Sequence, residues 1–257
     1  MSEAQNNNLD GHTAVVTGAA HGIGLAISRQ LAAHGARVVM ADVLEDAVTK
    51  SAAAVSAETG SETLVWVGDL SHEDCVKSMH QAAVARFGKV AILVNNAGGG
   101  VIRPFLEHTP ETLRATIDRN LWTALWCCRV FLPDMLEMRY GRIVNIGADS
   151  VRNGLWQHAA YNAAKGGMHG LTTGLAREFA GHGITVNTVA PCAVRTAALD
   201  HVEKVNPAFA RQVLEVIPMG RAAEVDEVAS MAVYLAGKAA SFVTGQVISV
   251  NGGSTML

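Results

Sequence analysis

A tyrosine and a lysine four positions apart, Tyr161 and Lys165, are the residues of this 257-residue chain whose types and spacing most directly suggest chemistry. The residues between them are good helix formers, so both side chains are expected on one helix face, where they can act on one substrate atom. A tyrosine with its ordinary pKa of about 10 is a poor base at neutral pH. A neighbouring ammonium group favours the phenolate and brings proton transfer into a useful range. The alternative is a buried tyrosine and a lysine that extends to solvent on an ordinary helix.

A glycine-rich turn near the start of the chain suggests a second site. Gly18, Gly22 and Gly24 follow a predicted strand and open a predicted helix. Glycines in such a turn let the backbone bend tightly and let a pyrophosphate approach the amides at the helix N-terminus, where the helix dipole favours negative charge. The glycines alone also fit a turn that only packs a helix against a strand. Their position between a strand and a helix favours dinucleotide binding.

An acidic residue follows this turn at the separation that dinucleotide-binding folds use. Asp42 lies 18 residues beyond Gly24, at the end of the next predicted strand. About 20 residues is the usual separation for a carboxylate that binds the adenosine ribose hydroxyls. A carboxylate there would repel a 2′-phosphate, so we expect NAD(H) to be preferred to NADP(H). The alternative is an acid that caps a helix or is solvated.

Seven short runs of β-branched and apolar residues are predicted as strands. They cover residues 13–17, 37–41, 63–67, 90–94, 142–146, 185–189 and 246–250. Runs such as Ile92-Leu93-Val94 are apolar on successive residues. That pattern is expected of a parallel sheet whose two faces are both covered by helices.

Helical stretches lie between these strands, at residues 23–34, 45–59, 72–87, 111–138, 159–182 and 224–237. Their apolar residues recur at spacings of three and four, as in Ile23, Ile27 and Leu31. The strict alternation predicts the α/β class, with a doubly wound (Rossmann) parallel seven-stranded sheet and helices on both faces. An eight-fold barrel would need an eighth strand and helix, which the sequence does not show. We expect a flexible segment over 1–10 and a single domain over 11–257.

The composition disfavours several classes of function. Twenty Lys and Arg against 23 Asp and Glu give a net charge of −3, which offers no cationic field for nucleic acid. No signal peptide or apolar run of ~18 residues is present, so a cytoplasmic protein without a membrane span is expected. The four cysteines fit no disulfide framework, and no His or Cys pattern indicates a metal.

Further motifs spread over nearly the whole chain make the sequence recognisable. They are Thr17-Gly18 with Gly22-Ile23-Gly24, Asp69-Leu70, Asn95-Asn96-Ala97-Gly98, Asn120, Tyr161-Asn162-Ala163-Ala164-Lys165 and Asn251-Gly252-Gly253. Together they resemble the short-chain dehydrogenase/reductase family. The resemblance implies a Rossmann-type oxidoreductase that uses a nicotinamide cofactor.

The resemblance also implies the residues of the site. The cofactor NAD would be bound by Gly18, His21, Gly22, Ile23, Gly24, Asp42, Asp69, Leu70, Asn96, Ala97, Gly98, Tyr161, Lys165, Pro191, Val194 and Thr196. Asp69 would contact the adenine, and Lys165 would bind the nicotinamide ribose. Asn120 would hold a water that connects Lys165 to solvent. The implied catalytic residues are Asn120, Tyr161 and Lys165, together with one hydroxyl donor.

Two departures from the family pattern concern that donor and the nicotinamide side. The family's serine about thirteen residues before the tyrosine is here Ala148. Ser150 lies two residues later, and in an extended segment its side chain would leave on the same face, so we predict that Ser150 replaces it. A site that lacks the donor is the alternative. The second departure is Pro191-Cys192, which stands where the family usually has Pro-Gly. Cys192 is predicted to be a small packed residue. Asp149, between Ala148 and Ser150, is predicted to be solvated or to cap a helix.

The implied function is hydride transfer between nicotinamide and a secondary alcohol or ketone, with Tyr161 as general acid/base. A catalytically weak nucleotide-sensing regulator on the same fold is the alternative. Residues 98–105 and 125–129 are similar to dehydrogenases that rearomatise cyclic cis-diol carboxylates. Arg103, Arg152 and Arg195 are candidates to bind such a carboxylate, although each one taken alone fits a surface or ion-paired arginine better.

Three expectations concern the surroundings of the site. Residues 197–219 correspond to the mobile substrate lid of the family. His158 and Trp156 are expected at the edge of the substrate pocket. The alternative for His158 is a surface histidine at the start of a helix. We also expect a homotetramer or homodimer, by resemblance and because helices 111–138 and 159–182 would otherwise expose apolar faces.

Overall fold

A parallel β-sheet forms the centre of the computed structural model, which describes residues 8–256. Its strands are β1 (Thr13–Thr17), β2 (Arg37–Asp42), β3 (Thr63–Val67), β4 (Ile92–Asn95), β5 (Gly141–Ile146), β6 (Ile184–Pro191) and β7 (Val247–Val250). The seven strands lie in the order β3-β2-β1-β4-β5-β6-β7. The chain therefore winds in one direction from β1 to β3 and in the other from β4 onward. This confirms the predicted doubly wound sheet.

Helices cover both faces of the sheet. They are α1 (Gly22–Ala33), α2 (Glu45–Thr59), α3 (Glu73–Phe87), α4 (Pro110–Ile117), α5 (Thr123–Met138), α6 (Ser150–Asn153), α7 (Ala159–Phe179), α8 (Ala197–Val205), α9 (Pro207–Glu215) and α10 (Val225–Ala236). Side chains of α1, α2 and α10 pack on one face, and those of α3, α5 and α7 on the other. Within residues 8–256, no helix combines the length and the apolar character needed to cross a membrane.

Burial on both faces explains the unbroken apolar runs of the strands. In β1, Ala14 and Val16 pack with the first helical layer, whereas Val15 packs with the second. All three are fully buried. Burying one valine side chain contributes about 1.5 kcal/mol or more, so strands that face two apolar layers are strongly favoured at the centre of the fold.

The predicted helix 111–138 is not regular throughout. It consists of α4, a π-helical turn over Asp118–Trp122, and α5. A π turn accommodates an extra residue and shifts the residues after it around the helix axis. Asn120 lies inside this turn and is fully buried. The irregularity therefore places a predicted catalytic side chain in the interior.

Residues 8–10 belong to the folded domain, so the predicted flexible segment 1–10 is too long. Leu9 is fully buried in the core, and its backbone N–H donates to the His34 carbonyl at 2.8 Å. The Asp10 N–H donates to Asn8 Oδ1 at 2.8 Å. A single leucine in a polar stretch forms no periodic pattern, so the sequence did not reveal this anchor. The rest of that segment, residues 1–7, lies outside the described residues.

Two short helices, α8 and α9, make up most of the segment expected to be the substrate lid. Asn206 separates them, and its Oδ1 accepts a hydrogen bond from the Phe209 N–H at 3.2 Å. Pro207 occupies the first position of α9, where a missing N–H removes no helical hydrogen bond. The segment therefore has its own caps and forms two short helices that pack against each other.

Candidate active site

A cleft of about 970 Å³ opens at the carboxyl ends of the strands, around the point where β1 and β4 diverge. Ligands bind at this position in doubly wound sheets. Among the predicted catalytic residues, Ser150, Tyr161 and Lys165 line the cleft, and Asn120 is buried behind it. All the predicted cofactor residues except Gly24 line it: Gly18, His21, Gly22, Ile23, Asp42, Asp69, Leu70, Asn96, Ala97, Gly98, Tyr161, Lys165, Pro191, Val194 and Thr196.

The glycine-rich turn is packed so closely that larger residues would not fit. A Cβ at Gly24 would lie 2.1 Å from the Gly18 carbonyl oxygen. Asn96 Nδ2 donates to the carbonyls of Thr17 and Gly18 at 2.9 and 3.0 Å, which fixes the turn to the loop after β4. Helix α1 begins on the wall of the cleft at Gly22. Its first amides have no partner within the helix, so the turn fits a phosphate-bearing cofactor.

The Asp42 carboxylate stands at the end of β2 and is 8% exposed. Its Oδ1 accepts from the N–H groups of Val43 and Leu44 at 2.8 and 3.1 Å. Its Oδ2 accepts from the Ala20 N–H at 3.0 Å. These bonds anchor the carboxylate to the backbone on both sides, and the oxygens keep lone pairs for further donors. Asp42 therefore caps neighbouring backbone N–H groups and can still accept hydrogen bonds from ribose hydroxyls.

Tyr161 and Lys165 share one face of α7, with the ammonium nitrogen 5.8 Å from the centre of the phenol ring. Lys165 is 3% exposed, and its Nζ donates to the Ile146 carbonyl at 2.7 Å. Burial lowers the pKa of Lys165 to about 8. Burial also raises the pKa of Tyr161 to about 12. The expected lowering of the tyrosine pKa by the ammonium is therefore outweighed by burial in this structure.

The π-helical turn before α5 fixes Asn120 to the loop after β4. Its Nδ2 donates to the carbonyls of Gly99 and Thr116 at 2.9 and 2.8 Å. Its Oδ1 accepts from the Gly99 N–H at 3.2 Å. A Cβ at Gly98 would lie 2.5 Å from Asn120 Oδ1 and 3.2 Å from Lys165 Nζ. Because Gly98 has no side chain, the Asn120 amide and the Lys165 ammonium can both lie close to its backbone.

Ser150 begins the single helical turn α6, so the extended segment expected around it is wrong. The N–H of Gly154, which has the positive φ of a helix terminus, closes this turn on the Ser150 carbonyl at 3.0 Å. Ala148 and Ser150 nevertheless both line the cleft. The Ser150 hydroxyl donates to Asn162 Oδ1 at 2.6 Å. Ser150 is therefore hydrogen-bonded to the residue that follows Tyr161, a contact that no local sequence pattern predicts.

Asp149 is fully buried, so it is not solvated. It stands at the N-cap position of α6, but its side chain makes no capping hydrogen bond. Its Oδ2 accepts from the Ser254 hydroxyl, and from the Thr255 hydroxyl and Asn251 Nδ2 at 2.8 and 3.1 Å. Its Oδ1 accepts from the Ser249 hydroxyl at 3.1 Å. Four polar donors thus replace the water that a buried carboxylate loses. The carboxylate ties the loop after β5 to the C-terminal segment.

The three arginines considered for a substrate carboxylate do not line the cleft. Arg152 donates to a hydroxyl and a carbonyl of β7 at 2.8 and 2.9 Å. Arg195 forms ion pairs with two acids of α8 at 3.4 and 2.8 Å. Arg103 donates to a nearby backbone carbonyl at 3.4 Å. The structure therefore supports the alternative for these arginines, in which they pair with protein groups, and not the carboxylate clamp.

Other cleft residues were not among the predicted site residues. Among them are the cation Arg119 of the π-helical turn and residues on α6, before α7, around α9 and in the C-terminal segment: Asn153, Leu155, Val213, Val216 and Ser254. Cys192 also lines the cleft, and burial raises the pKa of its thiol to about 11, so it is protonated at neutral pH. Within the described range, no group of three or more His, Cys, Asp or Glu residues is arranged to hold a metal ion.

Comparisons with known proteins agree with this geometry. A family model described as enoyl-(acyl carrier protein) reductase matches residues 18–255. The chain is 66% identical over 249 residues to 2,3-dihydroxy-2,3-dihydro-p-cumate dehydrogenase of Pseudomonas putida, which covers 97% of this chain and 96% of that protein. It is 33% identical over 258 residues to 1,6-dihydroxycyclohexa-2,4-diene-1-carboxylate dehydrogenase of Acinetobacter baylyi, covering 93% and 94%.

A solved structure extends the likeness to three dimensions. The structure of levodione reductase matches with a TM-score of 0.90 and 29% identity, covering 95% of this chain and 97% of that one. The likeness therefore spans almost the whole of both chains. The chain therefore belongs to the short-chain dehydrogenase/reductase family, whose enzymes act on CH–OH groups.

Proposed function

We propose that this enzyme oxidises a cyclic cis-diol, with NAD⁺ as the hydride acceptor and Tyr161 as the general acid/base. The observation that carries the proposal is the placement of Tyr161 and Lys165 in the same cleft as the glycine-rich turn. The 66% identity to a dihydroxy-dihydro-p-cumate dehydrogenase supports a cyclic diol as the substrate class. The second dihydroxycyclohexadiene dehydrogenase supports the same class at lower identity.

The proposed chemistry divides between the cofactor and the residues of the chain. When bound, the nicotinamide ring supplies the acceptor for the hydride that leaves the alcohol carbon as its C–H bond breaks. The Tyr161 oxygen takes the proton of the substrate hydroxyl, and the carbon–oxygen bond becomes a carbonyl. Burial raises the pKa of Tyr161 to about 12, so the phenolate that takes this proton depends on the positive charge of Lys165. Since the pKa of Lys165 is about 8, this assistance is expected at neutral pH, where the lysine is charged.

Ser150 is the proposed partner of the substrate oxygen, in place of the serine that the family has at Ala148. A hydroxyl carries one hydrogen, so Ser150 can donate either to Asn162 or to the substrate. A half-turn of the Asn162 amide would present Nδ2 to Ser150 and free the serine hydrogen for the substrate. A donor at this position is worth on the order of 10²-fold in rate.

NAD(H) is the proposed cofactor because of the charge of Asp42 on the wall of the cleft. Titration calorimetry is expected to show tighter binding of NAD(H) than of NADP(H). Asp42→Ala should narrow the difference by about 1 to 2 kcal/mol, the scale of a charge-assisted hydrogen bond. Asp46→Ala, which removes an exposed acid of α2, is the control. Equal or tighter binding of NADP(H) by the wild-type protein would contradict this choice.

A substrate screen tests the proposed function. The formation of NADH is followed with cyclic cis-diols, hydroxysteroids and 3-hydroxyacyl compounds. We expect the highest kcat/KM with a cyclic cis-diol. A protein that binds NAD(H) but oxidises none of these compounds would favour the alternative of a nucleotide-sensing regulator.

A further inference from the structure

His158 is a cleft residue that the proposed proton transfer does not use. It immediately precedes α7, three positions before Tyr161. Its ring meets the Tyr161 ring edge-on, with centroids 5.9 Å apart at 76°. Its ring also stacks on Phe209 of α9, at 6.4 Å and 19°. His158 therefore lies between the proposed general acid/base and the helix that covers the cleft, whereas Trp156 is 52% exposed and lies outside the cleft.

The hydrogen bond of one ring nitrogen fixes the form of His158. Nδ1 lies 2.7 Å from the Trp156 carbonyl oxygen. A carbonyl oxygen can only accept, so Nδ1 carries a hydrogen. Nε2 has no hydrogen-bond partner within residues 8–256 and carries a lone pair in the neutral ring. Burial lowers the pKa of His158 and the hydrogen bond to Trp156 opposes that shift, so the net effect favours the neutral ring.

We propose that His158 determines specificity for a vicinal diol by accepting a hydrogen bond, at Nε2, from the hydroxyl that is not oxidised. The proposal rests on the proposed function and names the part of the substrate that His158 would recognise, the second hydroxyl. When one hydroxyl of a cis-diol lies at Tyr161, the other is on the adjacent carbon and must donate its hydrogen to a neighbouring acceptor. The ring in edge contact with Tyr161 supplies that acceptor. A mono-alcohol has no second hydroxyl to donate to Nε2, so it gains nothing from this acceptor.

The surrounding groups favour a hydroxyl over a carboxylate as the partner of His158. A carboxylate needs a cation or an N–H or O–H donor, whereas neutral Nε2 offers only a lone pair. The ring faces the phenol of Tyr161 and the apolar ring of Phe209, and neither supplies a charge. The Ser254 hydroxyl already donates to Asp149, and the hydroxyl of Ser150 is assigned to the oxygen that reacts. The free acceptor is therefore matched to a donor hydroxyl of the substrate.

Two substitutions separate the hydrogen bond from the packing of the ring. His158→Phe keeps an aromatic ring for the contacts with Tyr161 and Phe209 but removes the acceptor. His158→Gln supplies an amide oxygen as acceptor. The substrates are cyclohexane-cis-1,2-diol and cyclohexanol, which differ only in the second hydroxyl. If cyclohexanol is oxidised too slowly to measure, its inhibition constant against the diol replaces kcat/KM.

We expect His158→Phe to lower kcat/KM for the diol by about ten-fold or more and to leave the value for cyclohexanol unchanged. His158→Gln should recover most of the loss. Equal changes for both substrates, or none for either, would overturn the assignment while the proposed function stands. A loss confined to diols that bear a carboxylate would also overturn it. Failure of the wild-type protein to oxidise any cyclic diol would instead contradict the proposed function itself.

Discussion

Ala148 has no hydroxyl, so a hydrogen-bond donor to the substrate oxygen depends on the Ser150 hydroxyl. Ser150→Ala should lower kcat by on the order of 10²-fold. NAD(H) affinity should be unchanged, because the missing interaction strengthens only as charge develops on the substrate oxygen. Steady-state kinetics with a cyclic cis-diol and calorimetry with NAD(H) measure the two quantities.

Tyr161→Phe calibrates the Ser150 experiment, since it removes the proton acceptor and should abolish nearly all turnover. Wild-type kcat in Ser150→Ala would show that Ser150 is not the substitute. A gain of activity in Ala148→Ser would then indicate a site that lacks the usual donor, with Asn120, Tyr161 and Lys165 as the remaining catalytic set.

Lys165 is expected to lower the stability of the folded protein. Burial lowers its pKa from an ordinary 10.5 to about 8. Between these pH values the unfolded chain binds more protons than the folded one, so wild-type stability rises with pH there. Lys165→Met should therefore raise the free energy of unfolding by about 1 to 3 kcal/mol at pH 7. The gain should shrink as the pH rises above 8.

Urea unfolding at several pH values measures this gain. Lys77→Met, at a side chain that is 52% exposed, serves as the control and should change stability little. A less stable Lys165→Met protein at pH 7 would show that the hydrogen bond to the Ile146 carbonyl outweighs the burial of the charge.

At the scale of elements, spacing within one segment could be predicted and contacts between segments could not. A helix fixes the relation of Tyr161 to Lys165, and alternating composition fixes the order of strands and helices. The π turn around Asn120 has no residue type that marks it. The partner of Asp149 on β7 lies 100 positions later in the chain. No local pattern joins residues so distant, and the same reason hid the contact of His158 with α9.

The four donors to Asp149 predict that this carboxylate holds the C-terminal segment on the loop after β5. Asp149→Asn should lower the free energy of unfolding by about 1 to 3 kcal/mol, because buried donors lose their acceptor. Hydrogen exchange of residues 251–255 should become faster. Denaturation and exchange mass spectrometry measure the two effects. Asp74→Asn, at a side chain that is 97% exposed, should change neither, and unchanged exchange in Asp149→Asn would contradict the anchoring role.

At the scale of the whole molecule, exposed aromatic side chains support the predicted association of chains. Trp122 is 41% exposed and stacks on Trp126, with ring centroids 5.1 Å apart. Light scattering at micromolar concentration is expected to show a homotetramer or homodimer. Trp122→Glu should reduce the mass, whereas Val205→Glu, at an exposed position of α8, should not. A monomeric wild-type protein would contradict the expectation.

The central claim is that hydride passes from a cyclic cis-diol to NAD⁺ while Tyr161 takes the proton. The most direct test uses a cis-diol with deuterium on its carbinol carbons and follows the reduced cofactor by mass spectrometry. We predict one deuterium in each NADH formed by the wild-type enzyme, and almost no NADH with Tyr161→Phe. Unlabelled NADH, or equal rates for the wild-type and Tyr161→Phe proteins, would contradict the claim.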